Sequence, residues 1–192
     1  MNKFYDVIII GGGTAGCATA YIAGKLGLKV LLIEKGIHLG GTMTSGLVVP
    51  VMKSGNHQIN TDFYNILVEE MHNVGGQVTY QDNSGWFNPE LMKIVLDKMM
   101  KDVSVDVRYN AEVKDVKTEG KYVLSLETNK EILSVYNEEV DTDNISIERY
   151  KPLSVYIGAK YFVDATGICD FSNNINCKFL ELKSEYQPMS LR

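Results

Sequence analysis

Val7-Ile8-Ile9-Ile10-Gly11-Gly12-Gly13-Thr14-Ala15-Gly16 begins the stretch that decides the fold, and Val30-Leu31-Leu32-Ile33-Glu34 completes it. The first four residues are a continuous apolar run, the pattern of a strand covered on both faces. Three glycines then break it. Between Thr14 and Leu26, Ala15, Ala18, Ala20, Tyr21, Ile22 and Ala23 give helical character, and Gly27 stands where a helix ends. A second apolar run follows, so residues 4–34 predict a βαβ unit.

Gly11-Gly12-Gly13-Thr14-Ala15-Gly16 fits GxGxxG directly after a strand and at the opening of a helix. Gly11 permits the tight turn, Gly13 lets the backbone approach a pyrophosphate, and Gly16 allows close helix packing. The amides around Thr14 and Ala15 and the positive end of the helix dipole hold a diphosphate without a basic side chain. Glu34 follows about 20 residues later at the end of the second strand, where a carboxylate accepts ribose hydroxyls and repels a 2′-phosphate. The pattern predicts dinucleotide binding and disfavours NADP.

Outward from this unit, residues 40–55 are rich in Gly, Thr and Ser and read as loop, with a short extended piece at Leu47–Val51. From Thr61 to Val74, Phe63, Ile66, Leu67, Met71 and Val74 share one helical face, which Gly75-Gly76 ends. Asn88-Pro89-Glu90 starts another helix with an N-cap and an N1 proline, and Leu91, Ile94, Val95 and Met99 form its expected buried stripe. The period then changes to two at Val103, Val105 and Val107. Strands are expected at 111–116, 122–126, 153–157 and 161–163, with an acidic hairpin or loop over 128–150. The expected architecture is α/β: a parallel sheet with helices on both faces, a β-meander crossover over about 108–160, and a loop-and-helix insertion over about 42–100.

Composition agrees with a globular chain. Of 192 residues, 45% are hydrophobic and 22% charged, and 24 acidic against 19 basic side chains leave a net charge of −5. Without a basic cluster, nucleic acid is not an expected partner. No apolar run approaches the roughly 20 residues that cross a bilayer. The N-terminus does not read as a signal peptide, since Asp6 interrupts its apolar part. Cys17, Cys169 and Cys177 form no CxxC pair, so reduced thiols in a cytoplasmic protein are expected and a metal site is not. A homodimer is compatible with this size but not required by it.

Residues 11–46, GGGTAGCATAYIAGKLGLKVLLIEKGIHLGGTMTSG, resemble the N-terminus of FAD-dependent oxidoreductases with the glutathione-reductase type of FAD domain. There a second glycine pair follows the ribose-binding glutamate, and Gly40-Gly41 supplies it. Asn110-Ala111-Glu112-Val113 is similar to the segment whose valine meets the adenine. Asp164-Ala165-Thr166-Gly167 is similar to the family's second FAD motif. The resemblance implies FAD as cofactor, with Gly11, Gly13, Thr14, Ala15, Gly16, Glu34, Lys35, Gly40, Gly41, Thr42, Val113, Thr166 and Gly167 as its candidate site. It also implies a small-molecule substrate and a longer chain, whose substrate domain would lie beyond these residues.

Gly41-Thr42-Met43-Thr44-Ser45-Gly46 holds no redox cysteine pair, so dithiol relay chemistry is not expected. Flavin dehydrogenase or oxidase chemistry remains, with no catalytic acid or base assigned. Cys17, in the first turn of the phosphate helix, reads as a small packed side chain or as a thiol activated by the helix dipole. His57 sits in a loop that can approach the flavin, while His38 and His72 read as surface residues. Trp86 and Phe87 read as core or interface, and Asp170 as a helix cap or a water-mediated cofactor contact. Two alternatives stay open at this stage: an NAD-binding module, and a non-catalytic truncated nucleotide-binding domain.

Overall fold

The computed structural model describes residues 3–51, 61–80, 82–119, 122–128, 132–136, 155–175 and 177–178. Strand β1 (Lys3–Ile10) leads through the glycine turn into helix α1 (Thr14–Lys25) and strand β2 (Val30–Ile33). A single 3-10 turn (Gly41–Met43) follows, then helix α2 (Thr61–Asn73), a hairpin of β3 (Gln77–Tyr80) and β4 (Asn83–Phe87), and helix α3 (Pro89–Asp102). Strands β5 (Asp106–Arg108), β6 (Val113–Glu119), β7 (Tyr122–Thr128), β8 (Ile132–Tyr136) and β9 (Val155–Asp164) precede the short helix α4 (Asp170–Asn174).

Seven strands form one sheet in the order β5-β2-β1-β9-β8-β7-β6. β5, β2, β1 and β9 run parallel, with Ile10 opposite Ile33 on one side and Asp164 on the other. β6, β7 and β8 are the antiparallel meander. The strand order reverses at β1, because α1 carries the chain to one side and the meander returns it to the other. A ligand crevice is expected outside the strand ends at such a point.

The long helices gather on one face rather than two. Cys17 and Ala20 of α1 and Met92, Val95, Leu96, Met99 and Met100 of α3 share one core with Val7, Ile9, Val30 and Leu32, and Leu67 and Met71 of α2 join it from beside α1, α3 and the β3–β4 hairpin. The opposite face, with Ile8, Ile10, Leu31 and Ile33, is covered by the meander through Val116, Val123 and Leu126 and by Phe171 of α4. Helix α3, read from the sequence as part of an insertion, is therefore the second crossover helix, between β2 and β5.

Asn88 caps α3 as expected, its side chain accepting from the amides of Glu90 (2.9 Å) and Leu91 (3.3 Å). Of its expected stripe Val95 and Met99 are buried and Leu91 is half-buried, but Ile94 is exposed, and Met92 and Leu96 are buried on the other side of it. Val74 is likewise exposed, beyond the end of α2. Val103 caps α3 instead of beginning a strand, and β9 is one continuous strand where two were expected. The extended piece near 47–51 reduces to a bridge between Pro50 and Trp86, flanked by hydrogen bonds from Val51 N to Gly85 O and from Phe87 N to Val49 O. Most of the acidic stretch 128–150 lies outside the described residues.

Candidate functional site

The carboxyl ends of β1, β2 and β9 open onto a cleft of about 320 Å³. Gly11, Gly13, Thr14 and Ala15 form its floor, Glu34 and Lys35 one end, Gly41 and Thr42 a flank, Val113 another, and Thr166 and Gly167 the far wall. Gly16 and Gly40 do not line it. A Cβ on Gly16 would fall 1.8 Å from Gly11 O, so this glycine packs against the phosphate turn from behind. Gly40 has φ +102 and donates its amide to Gly12 O at 2.8 Å, which locks the second glycine pair onto the first.

The floor is shaped for a ligand that comes close to backbone. Helix α1 has no side-chain cap and no acidic residue in its first turn, so its orphan amides are free to receive an anion. Gly13 has φ −72, which any residue adopts, and a Cβ there would meet nothing within 4 Å. Neither conformation nor packing asks for glycine at this position. Gly13 is also among the residues that line the cleft.

Glu34 is half-buried at the end of β2. Its Oε2 accepts from Gly12 N and its Oε1 from Gly36 N, each at 2.6 Å. A carboxylate has about four lone-pair positions, so acceptor capacity remains for a hydroxyl in the cleft.

The far wall is set by Asp164. Its Oδ1 accepts from Thr166 N (3.0 Å) and Thr166 Oγ1 (2.7 Å), and its Oδ2 from Ser172 N (2.7 Å). Thr166 Oγ1 in turn accepts from Asp170 N at 2.9 Å. Burial works to raise the Asp164 pKa, but the hydrogen bonds from Ser172 and Thr166 outweigh it and hold the carboxyl below its ordinary value.

Cys17 is fully buried, and its Sγ donates to Gly12 O at 3.2 Å. Burial pushes its thiol up to about 12, against the helix dipole. The packed reading therefore holds, not the activated one. Phe171, which the sequence reading did not single out, lines the cleft and stacks with Phe162 at 5.8 Å between centroids. Its only sequence signal was its place one residue after Asp170. Phe87 is buried and Trp86 half-buried, while His38 and His72 are away from the cleft lining. His57 lies outside the described residues. No group of three metal-ligating side chains occurs among the described residues, and no helix there is long and apolar enough to cross a membrane.

A family model for FAD dependent oxidoreductases matches residues 6–179. The chain belongs to this family. FAD, the cofactor of its members, rather than NAD, is thus the dinucleotide of this chain. Among curated relatives of the chain, thioredoxin reductase of Bacillus subtilis is 30% identical over 121 residues, covering 62% of this chain and 38% of that protein. The chain spans smaller shares of others, such as 20% of pseudooxynicotine dehydrogenase from a Pseudomonas species, 34% identical over 101 residues. Among solved structures, THI4 from Thermovibrio ammonificans superposes with a TM-score of 0.58 at 22% identity, covering 91% of this chain and 64% of that one. That likeness supports the fold.

Proposed function

We propose that these residues form the FAD-binding domain of a flavin-dependent dehydrogenase or oxidase acting on a small molecule. The observation that carries it is Gly13: a glycine required neither by its dihedrals nor by its neighbours, facing a cleft at the uncapped end of α1. The first-turn amides with Gly11, Gly13, Thr14 and Ala15 hold the pyrophosphate, with Gly16 and Gly40 shaping the loop behind them. Glu34 receives the ribose hydroxyls and Lys35 lies beside it. Val113 borders the adenine. Gly41, Thr42, Thr166 and Gly167 flank the remainder of the cofactor, and Thr42 lies on the side nearest the flavin ring.

When bound, the flavin supplies the electron-pair acceptor for substrate oxidation. This chain's contribution is to orient the cofactor and to place neutral amides, not cations, around its diphosphate. Reduced thiols suit a cytoplasmic setting, and a homodimer is an assembly to be measured by light scattering.

The test is an absorbance spectrum of the purified 192-residue chain before and after addition of FAD and removal of excess. A flavin band retained at near one equivalent supports the reading. A colourless protein that retains no added FAD overturns it for these residues.

A further inference from the structure

The role of Glu34 as a ribose acceptor leaves its hydrogen bonds to Gly12 and Gly36 unexplained. We infer that Glu34 is also a positioning residue, whose carboxylate braces the phosphate loop in the ligand-free protein by clamping the Gly12 peptide. The inference rests on the FAD-binding reading only for its consequence; the brace itself is made of hydrogen bonds within the chain.

Three observations converge on Gly12. Its amide donates to Glu34 Oε2 at 2.6 Å, while Glu34 Oε1 is tied to Gly36 N at 2.6 Å, so the carboxylate spans from the phosphate turn to the loop after β2. The carbonyl of the same residue accepts from Gly40 N at 2.8 Å and from Cys17 Sγ at 3.2 Å. Both polar groups of one residue are therefore held by side chain and backbone from three other segments. Finally, a Cβ on Gly12 would lie 2.9 Å from Glu34 Oε2 and 2.6 Å from Leu39 Cδ2. The GxGxxG pattern leaves its second position open, yet here Glu34 and Leu39 occupy the space a side chain would need. A buried amide with no partner is costly, so removing the acceptor frees the turn.

The consequence is pre-organisation. A loop already held in its binding shape does not have to be ordered when the ligand arrives, so part of what Glu34 contributes to affinity is independent of ribose. Losing this carboxylate should weaken a diphosphate ligand even when that ligand has no ribose hydroxyls.

The experiment compares wild type with E34Q and E34D. Gln presents an amide NH2 to one of two N–H donors, and Asp is one methylene too short to reach both. In ligand-free protein, backbone amide exchange at Gly12 and Gly36 should accelerate about tenfold or more in E34Q. The amide of Gly11, bonded to Ile33 O, serves as the internal control for folding. E34D should show the same direction with a smaller change. ADP and 2′,3′-dideoxy-ADP are then titrated against each protein. A brace predicts that E34Q weakens both. Unchanged exchange at Gly12 and Gly36 overturns the proposal, as does a loss of ADP affinity with none for the dideoxy analogue. If wild type binds neither nucleotide, the FAD-binding reading is what fails, and the exchange data still decide the brace.

Discussion

A Cβ placed on Gly11 would lie 2.5 Å from the carbonyl oxygen of Ala165. The first glycine of the phosphate turn and the alanine of the segment after β9 are thus in backbone contact, 154 positions apart in sequence. Ala165 N donates to Ile10 O at 2.8 Å, which continues the β1–β9 pairing directly into the site. Gly11 also has φ +103. G11A meets both penalties, strain and collision with backbone, and should destabilise the fold by about 2–4 kcal/mol. Chemical denaturation measures it, and a loss under about 0.5 kcal/mol would show that the two walls separate easily.

Gly13 should behave in the opposite way. In G13A the weaker N-cap and the restricted unfolded chain offset each other, so stability stays within about 1 kcal/mol of wild type. The new methyl group stands in the cleft, so FAD retention should fall at least about tenfold, read from flavin fluorescence after gel filtration. Equal loss of stability and of flavin would mean that Gly13 serves the fold instead.

Asp164 gives the site a defined acid limit. Its folded pKa is depressed, so its contribution to stability is present above the unfolded carboxylate value of about 3.9 and disappears as pH falls through the lower folded value. Circular dichroism during acid titration should show D164N with a shallower loss of stability below about pH 4, and a lower stability than wild type at pH 7. The effect should survive 0.5 M salt, on the order of a 4 Å Debye length, because the partners are neutral Thr166 and Ser172 groups. Asp6 and Glu112 are also depressed, first by their hydrogen bonds to Lys160 and Lys114, but these pairs are exposed and salt should erase them. Parallel titration curves for wild type and D164N would remove Asp164 from this role.

Thiol labelling should separate the cysteines by burial. Cys169 and Cys177 are exposed and Cys17 is buried with a raised pKa. Ellman's reagent at pH 8 should modify two thiols promptly in native protein, and the third only on unfolding. Rapid reaction of all three would show that the α1 N-terminus opens in solution.

Packing on α3 offers a last check on the helix face. L96A removes a fully buried side chain and should cost about 2–5 kcal/mol, whereas I94A, at an exposed position, should change stability by less than about 0.5 kcal/mol. Thermal or urea unfolding distinguishes them, and a greater cost for I94A than for L96A would mean that the helix sits in the rotation expected from sequence.

Local chemistry is readable in the chain itself. Hydrophobic runs, glycine turns and caps act over a few residues, so β1, α1, β2, the Asn88-Pro89 start of α3 and the glycine floor with Glu34 follow from sequence alone. Which face of α3 turns inward does not. A stripe centred on Val95 and Met99 can widen toward Leu91 and Ile94 or toward Met92 and Leu96, and only packing into the core shared with Val7, Ile9 and Leu32 selects the second. The same holds for the site. Gly12 occupies an open position of its motif, and its constraint arises from Glu34, Leu39 and Gly40 brought back upon it. Phe171 and the Asp164 network become part of the cleft only because β9 lies beside β1. Sequence determined which segments become strand, helix or glycine turn and where Glu34 stands among them, since those depend on neighbours along the chain. Tertiary structure decided how the walls of the site are held together, since close backbone approach and hydrogen-bond closure depend on neighbours in space.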